Sequence, residues 1–111
     1  MASNYIQSGD RLTLTAPYAR NSGQAAKIGT AIIAIALQTL ANGASGEWAT
    51  KGVWYVDKNS AEAWAVGDKL YWDNTNKVFT TTSSGNTLAG VATAVAANPS
   101  SYGYIRLNGS F

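Results

Sequence analysis

Short apolar runs, each stopped within a few residues by glycine, asparagine, aspartate or proline, constrain this chain more than any other feature. Even the longest, Ala31–Leu37, falls far below the roughly 20 residues needed to cross a bilayer as a helix. Runs of this length between turn signals read as strands. Arg11-Leu12-Thr13-Leu14-Thr15 alternates polar and apolar, so Leu12 and Leu14 share the buried face of a strand that Pro17 stops. Tyr18–Gln24 is a loop around Asn21-Ser22-Gly23, and Asn42–Gly46 is a turn cluster. Glu47–Thr50 and Val53–Val56 are strands interrupted at Lys51-Gly52. Ala61–Ala65 has room for one helical turn. Lys69–Trp72 and Lys77–Thr80 pair across the connection Asp73-Asn74-Thr75-Asn76. Leu88–Val95 is a strand whose alternation a bulge at Gly90 repairs. Tyr102–Leu107 is the last strand, with Tyr104 and Arg106 on one face and Ile105 and Leu107 on the other.

Gln24–Asn42 supports two readings. Ile28, Ile32, Ile35 and Thr39 recur at helical spacing, with Gly43 placed to cap. The β-branched Ile32, Ile33 and Ile35, and the interrupting Gly29, favour extended chain. Propensity alone leaves the two balanced. Taken together, seven or eight short strands separated by Gly-rich turns predict an all-β fold, a small barrel or β-sandwich. Residues 1–9 are polar apart from Tyr5-Ile6 and read as a flexible N-terminal arm that docks against something. The remaining 10–111 then form a single β domain, since 111 residues are room for one.

Composition removes classes of function. There is no cysteine and no histidine, so thiolate chemistry, disulfides, zinc–thiolate sites and imidazole acid–base schemes are excluded. Only 13% of residues are charged, against about 25% in ordinary soluble domains, yet the 46% hydrophobic content argues against disorder. The eight Lys and Arg residues are scattered, giving a net charge of +2 without the basic stripe of a nucleic-acid binder. The N-terminus has neither the basic region nor the apolar core of a signal peptide.

The candidate chemistry is thin. Asp68 and Asp73 flank one strand and are the best carboxylate pair for acid–base work, but an aspartate at a strand end more often bonds its own turn. Asp73–Lys77 begins like a calcium loop and fails at its fifth position, where Lys77 replaces an oxygen ligand. Asn108-Gly109-Ser110 is a formal glycosylation sequon that reads as a turn-like tail. Aromatics carry the richest signal, with four tryptophans and six tyrosines. Trp54/Tyr55 and Tyr71/Trp72 are adjacent pairs, and neighbours in a strand face opposite sides. Unless the strand is covered on both faces, one ring of each pair therefore leaves the main core and suits a subunit or partner interface.

Ordered blocks along the chain resemble a known family. They are Asn4–Asp10 with Leu12–Pro17, Ser22-Gly23, Gly29, Ile33–Ala36, Gly46-Glu47, Lys51-Gly52-Val53 and Asp57-Lys58. They continue with Ala65-Val66-Gly67-Asp68-Lys69-Leu70-Tyr71-Trp72-Asp73, Gly85–Ala92 and Ile105–Gly109. This set resembles the DUF2190 family of small tailed-bacteriophage head proteins, regarded as capsid decoration or cement proteins. The resemblance implies a strand for Ala31–Leu37. It implies a non-enzymatic virion protein without cofactor, made in the bacterial host cytoplasm and placed on the outer surface of the capsid. Its expected partners are the major capsid protein and two further copies in a homotrimer, with no nucleic acid and no membrane, and its expected role is to stabilise the expanded shell. Tyr5, Ile6, Asp10, Arg11 and Leu12 are then expected to contact the shell. Trp54, Tyr71 and Trp72 are expected to divide between core and subunit interface. A rival reading is a virion-surface adhesive module that binds glycan or host surface through exposed aromatics.

Overall fold

The computed structural model describes residues 11–108. Among them are nine strands in two antiparallel sheets and no helix. The strands are β1 (Arg11–Thr15), β2 (Ala25–Ile28), β3 (Ile32–Ala36), β4 (Ser45–Ala49), β5 (Lys51–Asp57), β6 (Lys69–Asp73), β7 (Val78–Thr80), β8 (Thr87–Ala92) and β9 (Tyr102–Asn108). One sheet has four strands in the order β1-β4-β3-β2; the other has five in the order β5-β9-β8-β6-β7. The five-stranded sheet curls into a half-barrel. Its far edges approach each other where Lys58 bridges Phe79 in parallel and the Asn59 amide donates to the Phe79 carbonyl at 2.9 Å.

The two sheets share one stretch of chain. β4 is a central strand of the first, β5 is an edge of the second, and only Thr50, itself buried, separates them. The interruption read at Lys51-Gly52 falls at Thr50 instead; Lys51 and Gly52 open β5, opposite Asn108 and Leu107, and form the corner with Thr50. Gly52 has φ of 107°, a backbone region that side chains with a Cβ rarely enter. The Trp54 indole folds back over the corner and donates to the Lys51 carbonyl at 3.0 Å.

The Gln24–Asn42 segment settles as a hairpin, β2 and β3, with Ile28 opposite Ile32. Its ambiguity has a physical cause: β3 is covered on both faces, so its sequence is continuously apolar rather than alternating. Ile33 and Ile35 face the core between the sheets, with Trp64, Leu70, Trp72, Phe79 and Ile105. Ala34 and Ala36 face a second cluster around Trp48, Ala16, Ala26 and Leu40. Alanines there leave room for the Trp48 indole, which donates to the Leu14 carbonyl at 3.0 Å. The Trp72 and Phe79 rings meet edge to face at 4.9 Å in the main core.

Two sequence expectations need correction. Ala61–Ala65 makes no helical turn; Trp64 instead exchanges backbone hydrogen bonds with Ala96, both at 3.0 Å. Side chains capture the groups a helix would have used, an arrangement that competes with helical bonding. The Lys58 amine, buried in this loop, donates to the carbonyls of Asn59, Glu62 and Ser100. The Glu62 carboxylate accepts from the Trp64 indole, the Thr80 hydroxyl and the Thr81 amide. The second correction is small: the bulge of β8 falls at Ala89, beside Gly90. Leu70 pairs with Gly90 and Tyr71 with Leu88, leaving Ala89 as the extra residue.

The corner carries a prediction. Gly52→Ala forces a Cβ into φ of 107° and should cost about 1–3 kcal/mol, read as a lower midpoint in denaturant unfolding. Val95→Ala, at a side chain 77% exposed, should leave the midpoint unchanged.

Candidate functional site

Two surface features are built by the way the sheets meet. The first is a hollow of about 240 Å³ at the corner itself, lined by Arg11, Leu37, Ala49, Lys51, Gly52 and Trp54. Arg11 reaches it because β1 pairs antiparallel with β4 in a register that sets Arg11 opposite Ala49. Trp54 reaches it by folding back over Gly52. The hollow therefore combines an indole face with two cationic residues, at the point where residues 1–10 join the described chain.

The second feature is an aromatic face. β5 and β9 pair with Val53 opposite Arg106, Tyr55 opposite Tyr104 and Asp57 opposite Tyr102. All six of these side chains point away from the main core, because strand alternation sends Val56, Gly103, Ile105 and Leu107 inward. Tyr55 is 59% exposed, and its ring lies 5.4 Å from that of Tyr102 and 4.9 Å from that of Tyr104. Beside this face runs a cleft of about 310 Å³ between the sheets. One wall is Ser22–Ala25, leading into β2; the other is Tyr55, Asp57 and Tyr102; Trp72 and Phe79 lie at its base.

A polar tie fastens the sheets next to this cleft. The Tyr18 hydroxyl donates to Asn74 Oδ1 at 2.8 Å and accepts from the Lys27 amide at 3.0 Å. Asn74 Oδ1 also accepts from the Trp72 indole at 3.1 Å. Lys77 and Arg20 lie over the Tyr18 ring, at 4.4 Å and 5.5 Å from its centroid. One tyrosine thus connects the loop before β2 with the β6–β7 hairpin and with the main core.

The carboxylates singled out from the sequence serve their own turns. Asp73 accepts from the Thr75 and Asn76 amides at 2.9 and 3.1 Å and from the Asn76 side chain at 2.8 Å. Asp68 accepts from the Ala65 amide at 2.9 Å. The Asn76 backbone hydrogen bond, above all, holds the Asp73 carboxyl below its ordinary range, against partial desolvation. The Asn76 side chain, the Thr75 amide and the Lys77 charge act in the same direction as that bond.

The eight residues expected at interfaces are dispersed. Tyr5, Ile6 and Asp10 lie outside the described residues. Arg11 and Trp54 line the corner hollow. Leu12 is half-buried opposite Trp48. Tyr71 is half-buried on β6, beside Asp68, Lys69 and Thr81. Trp72 is 1% exposed and takes the core share of the aromatic pairs. Sequence reasoning missed Tyr55 and Tyr102 as surface groups, together with Asp57 and Gln24. Alternation showed that one of Trp54 and Tyr55 faces outward. The cross-strand register that brings the Tyr55 ring against those of Tyr102 and Tyr104 has no sequence signature.

A family model described as phage cement protein matches residues 6–107. No curated protein matches the chain.

The Asp73 turn gives a pH prediction. Its folded-state pKa is lowered, so its stabilisation is complete above the unfolded value near 3.8 and is lost as pH falls through the folded value. Between neutral pH and pH below that range, wild type should lose more stability than Asp73→Ala. Equal losses in parallel denaturant titrations would show that the turn contributes nothing to acid sensitivity.

Proposed function

The chain belongs to the phage cement protein family, and we propose that it is a capsid decoration protein that binds the major capsid protein on the outer surface of the head and stabilises the expanded shell. The observation that carries this reading is the family match, which spans nearly the whole chain. We take the blocks that resemble the DUF2190 family to be blocks of this same family. The role is structural, with no catalytic step, and residues 10–111 act as one domain.

Within that role, the corner hollow is the shell-facing end. Arg11 and Trp54 pair a cation with an aromatic ring, the two side-chain types most enriched where interfaces carry their binding energy. Residues 1–9 serve this role as an arm through Tyr5 and Ile6, and Asp10, beyond the arm, and Leu12, in β1, add further contacts. An arm of this kind adds a strand to an exposed edge of its partner. Tyr71, which does not line the corner hollow, is the remaining candidate for contact between copies. Three copies acting together convert weak individual contacts into lasting attachment, because the second and third contacts form at high effective concentration. The protein is made in the host cytoplasm and joins the head there, after the shell expands.

Co-sedimentation with undecorated heads tests this. Wild type should saturate expanded heads and not unexpanded proheads. Removal of residues 1–9 should lower occupancy with the fold intact, and Trp54→Ala should weaken attachment by tenfold or more, the loss expected at an interface hot spot. Full occupancy by both variants would overturn the assignment of this end to the shell.

A further inference from the structure

We propose that the cleft between Ser22–Ala25 and Tyr55, Asp57 and Tyr102 is a binding site for a neutral saccharide unit. Its volume of about 310 Å³ lies at the small end of ligand pockets, which commonly span about 300–1,000 Å³. The base is apolar, from Trp72 and Phe79, and one wall carries the stacked Tyr55 and Tyr102 rings. Aromatic rings offer flat apolar surface to the C–H face of a sugar ring, while their hydroxyls stay polar.

The polar groups decide the ligand class. Among the described residues, the Asp57 carboxylate has no hydrogen-bond partner, and neither do the Ser22, Tyr55 and Tyr102 hydroxyls. Gln24 uses its carbonyl oxygen to accept from the Asn21 amide, which leaves its amide N–H groups for another acceptor. A site with both donors and acceptors unspent, against an aromatic wall, matches vicinal hydroxyls, which both donate and accept. Asp57 sits in the cleft with no cation lining it, so phosphate, nucleic acid and acidic sugars are repelled.

A peptide strand is disfavoured by a separate observation. The outer edge of β2 is capped: the Ala25 carbonyl accepts from the Arg20 guanidinium at 3.1 Å, and the Lys27 amide donates to the Tyr18 hydroxyl. Strand addition needs those groups unpaired. The proposal does not depend on capsid attachment, because the cleft and the corner hollow share no residue.

The test is an amide-resolved NMR titration of the full chain with a panel of neutral hexose, N-acetylhexosamine and deoxyhexose oligosaccharides, with sialyllactose as the charged comparison. At least one neutral sugar should give saturable shifts at Gln24, Ala25, Tyr55–Asp57 and Tyr102, with sialyllactose weaker. Tyr102→Ala should weaken that binding about tenfold, and Val95→Ala should not change it. Asp57→Lys keeps both rings and should raise sialyllactose to at least the affinity of the neutral sugar. No cleft shifts with any neutral sugar, or shifts that persist unchanged in Tyr102→Ala, would overturn the proposal. Occupancy of expanded heads, read on the same variants, separates loss of sugar binding from loss of attachment.

Discussion

The passage of one chain segment from the first sheet into the second at Thr50-Lys51-Gly52 is the constraint on which the rest of this structure depends. β4 lies inside the four-stranded sheet and β5 edges the five-stranded one, so a bend here sets how the two sheets face each other. The bend needs positive φ at Gly52 and is held by the half-buried Trp54 indole on the Lys51 carbonyl. From that angle follow the shared core of Ile33, Ile35, Trp72 and Phe79, the hollow beside Arg11, and the cleft beside Tyr55. Both surface features are thus consequences of how two curved sheets join, rather than additions to a finished domain.

The all-β architecture was legible in the sequence because turn chemistry is local. Strand alternation at Tyr102–Leu107 assigned the inward and outward faces that the structure shows, with Ile105 and Leu107 buried and Tyr104 and Arg106 exposed. Legibility failed where tertiary packing overrode local pattern. β3 is buried on both faces and lost the alternation that identifies a strand. β2 is a four-residue strand in an Ala-rich stretch, too short to register as a separate element. The loop after β5 is organised by the buried Lys58 amine and the Glu62 carboxylate, whose partners include Ser100 and Thr80, distant in sequence.

The candidate site was legible only in outline. Adjacent aromatic pairs required that some rings leave the core, and Tyr55 does so, stacked against Tyr102 and tilted against Tyr104. Which ring leaves depends on the Gly52 corner, which turns Trp54 back onto the body of the protein and gives the open position to Tyr55. That choice is a property of the three-dimensional bend. The low charge content acquires a physical meaning beside this surface. In the capsid role proposed above, attachment by aromatic and polar contact, with few ion pairs, is weakly screened by salt.

The most direct measurement of the central claim is a cryo-electron microscopy reconstruction of expanded heads decorated with the purified protein, compared with undecorated heads. The account predicts added density outside the shell, in clusters of three copies, into which the nine-strand fold fits with Arg11 and Trp54 toward the capsid surface. Added density inside the shell, or a fit that turns the Arg11 end toward solvent, would contradict it.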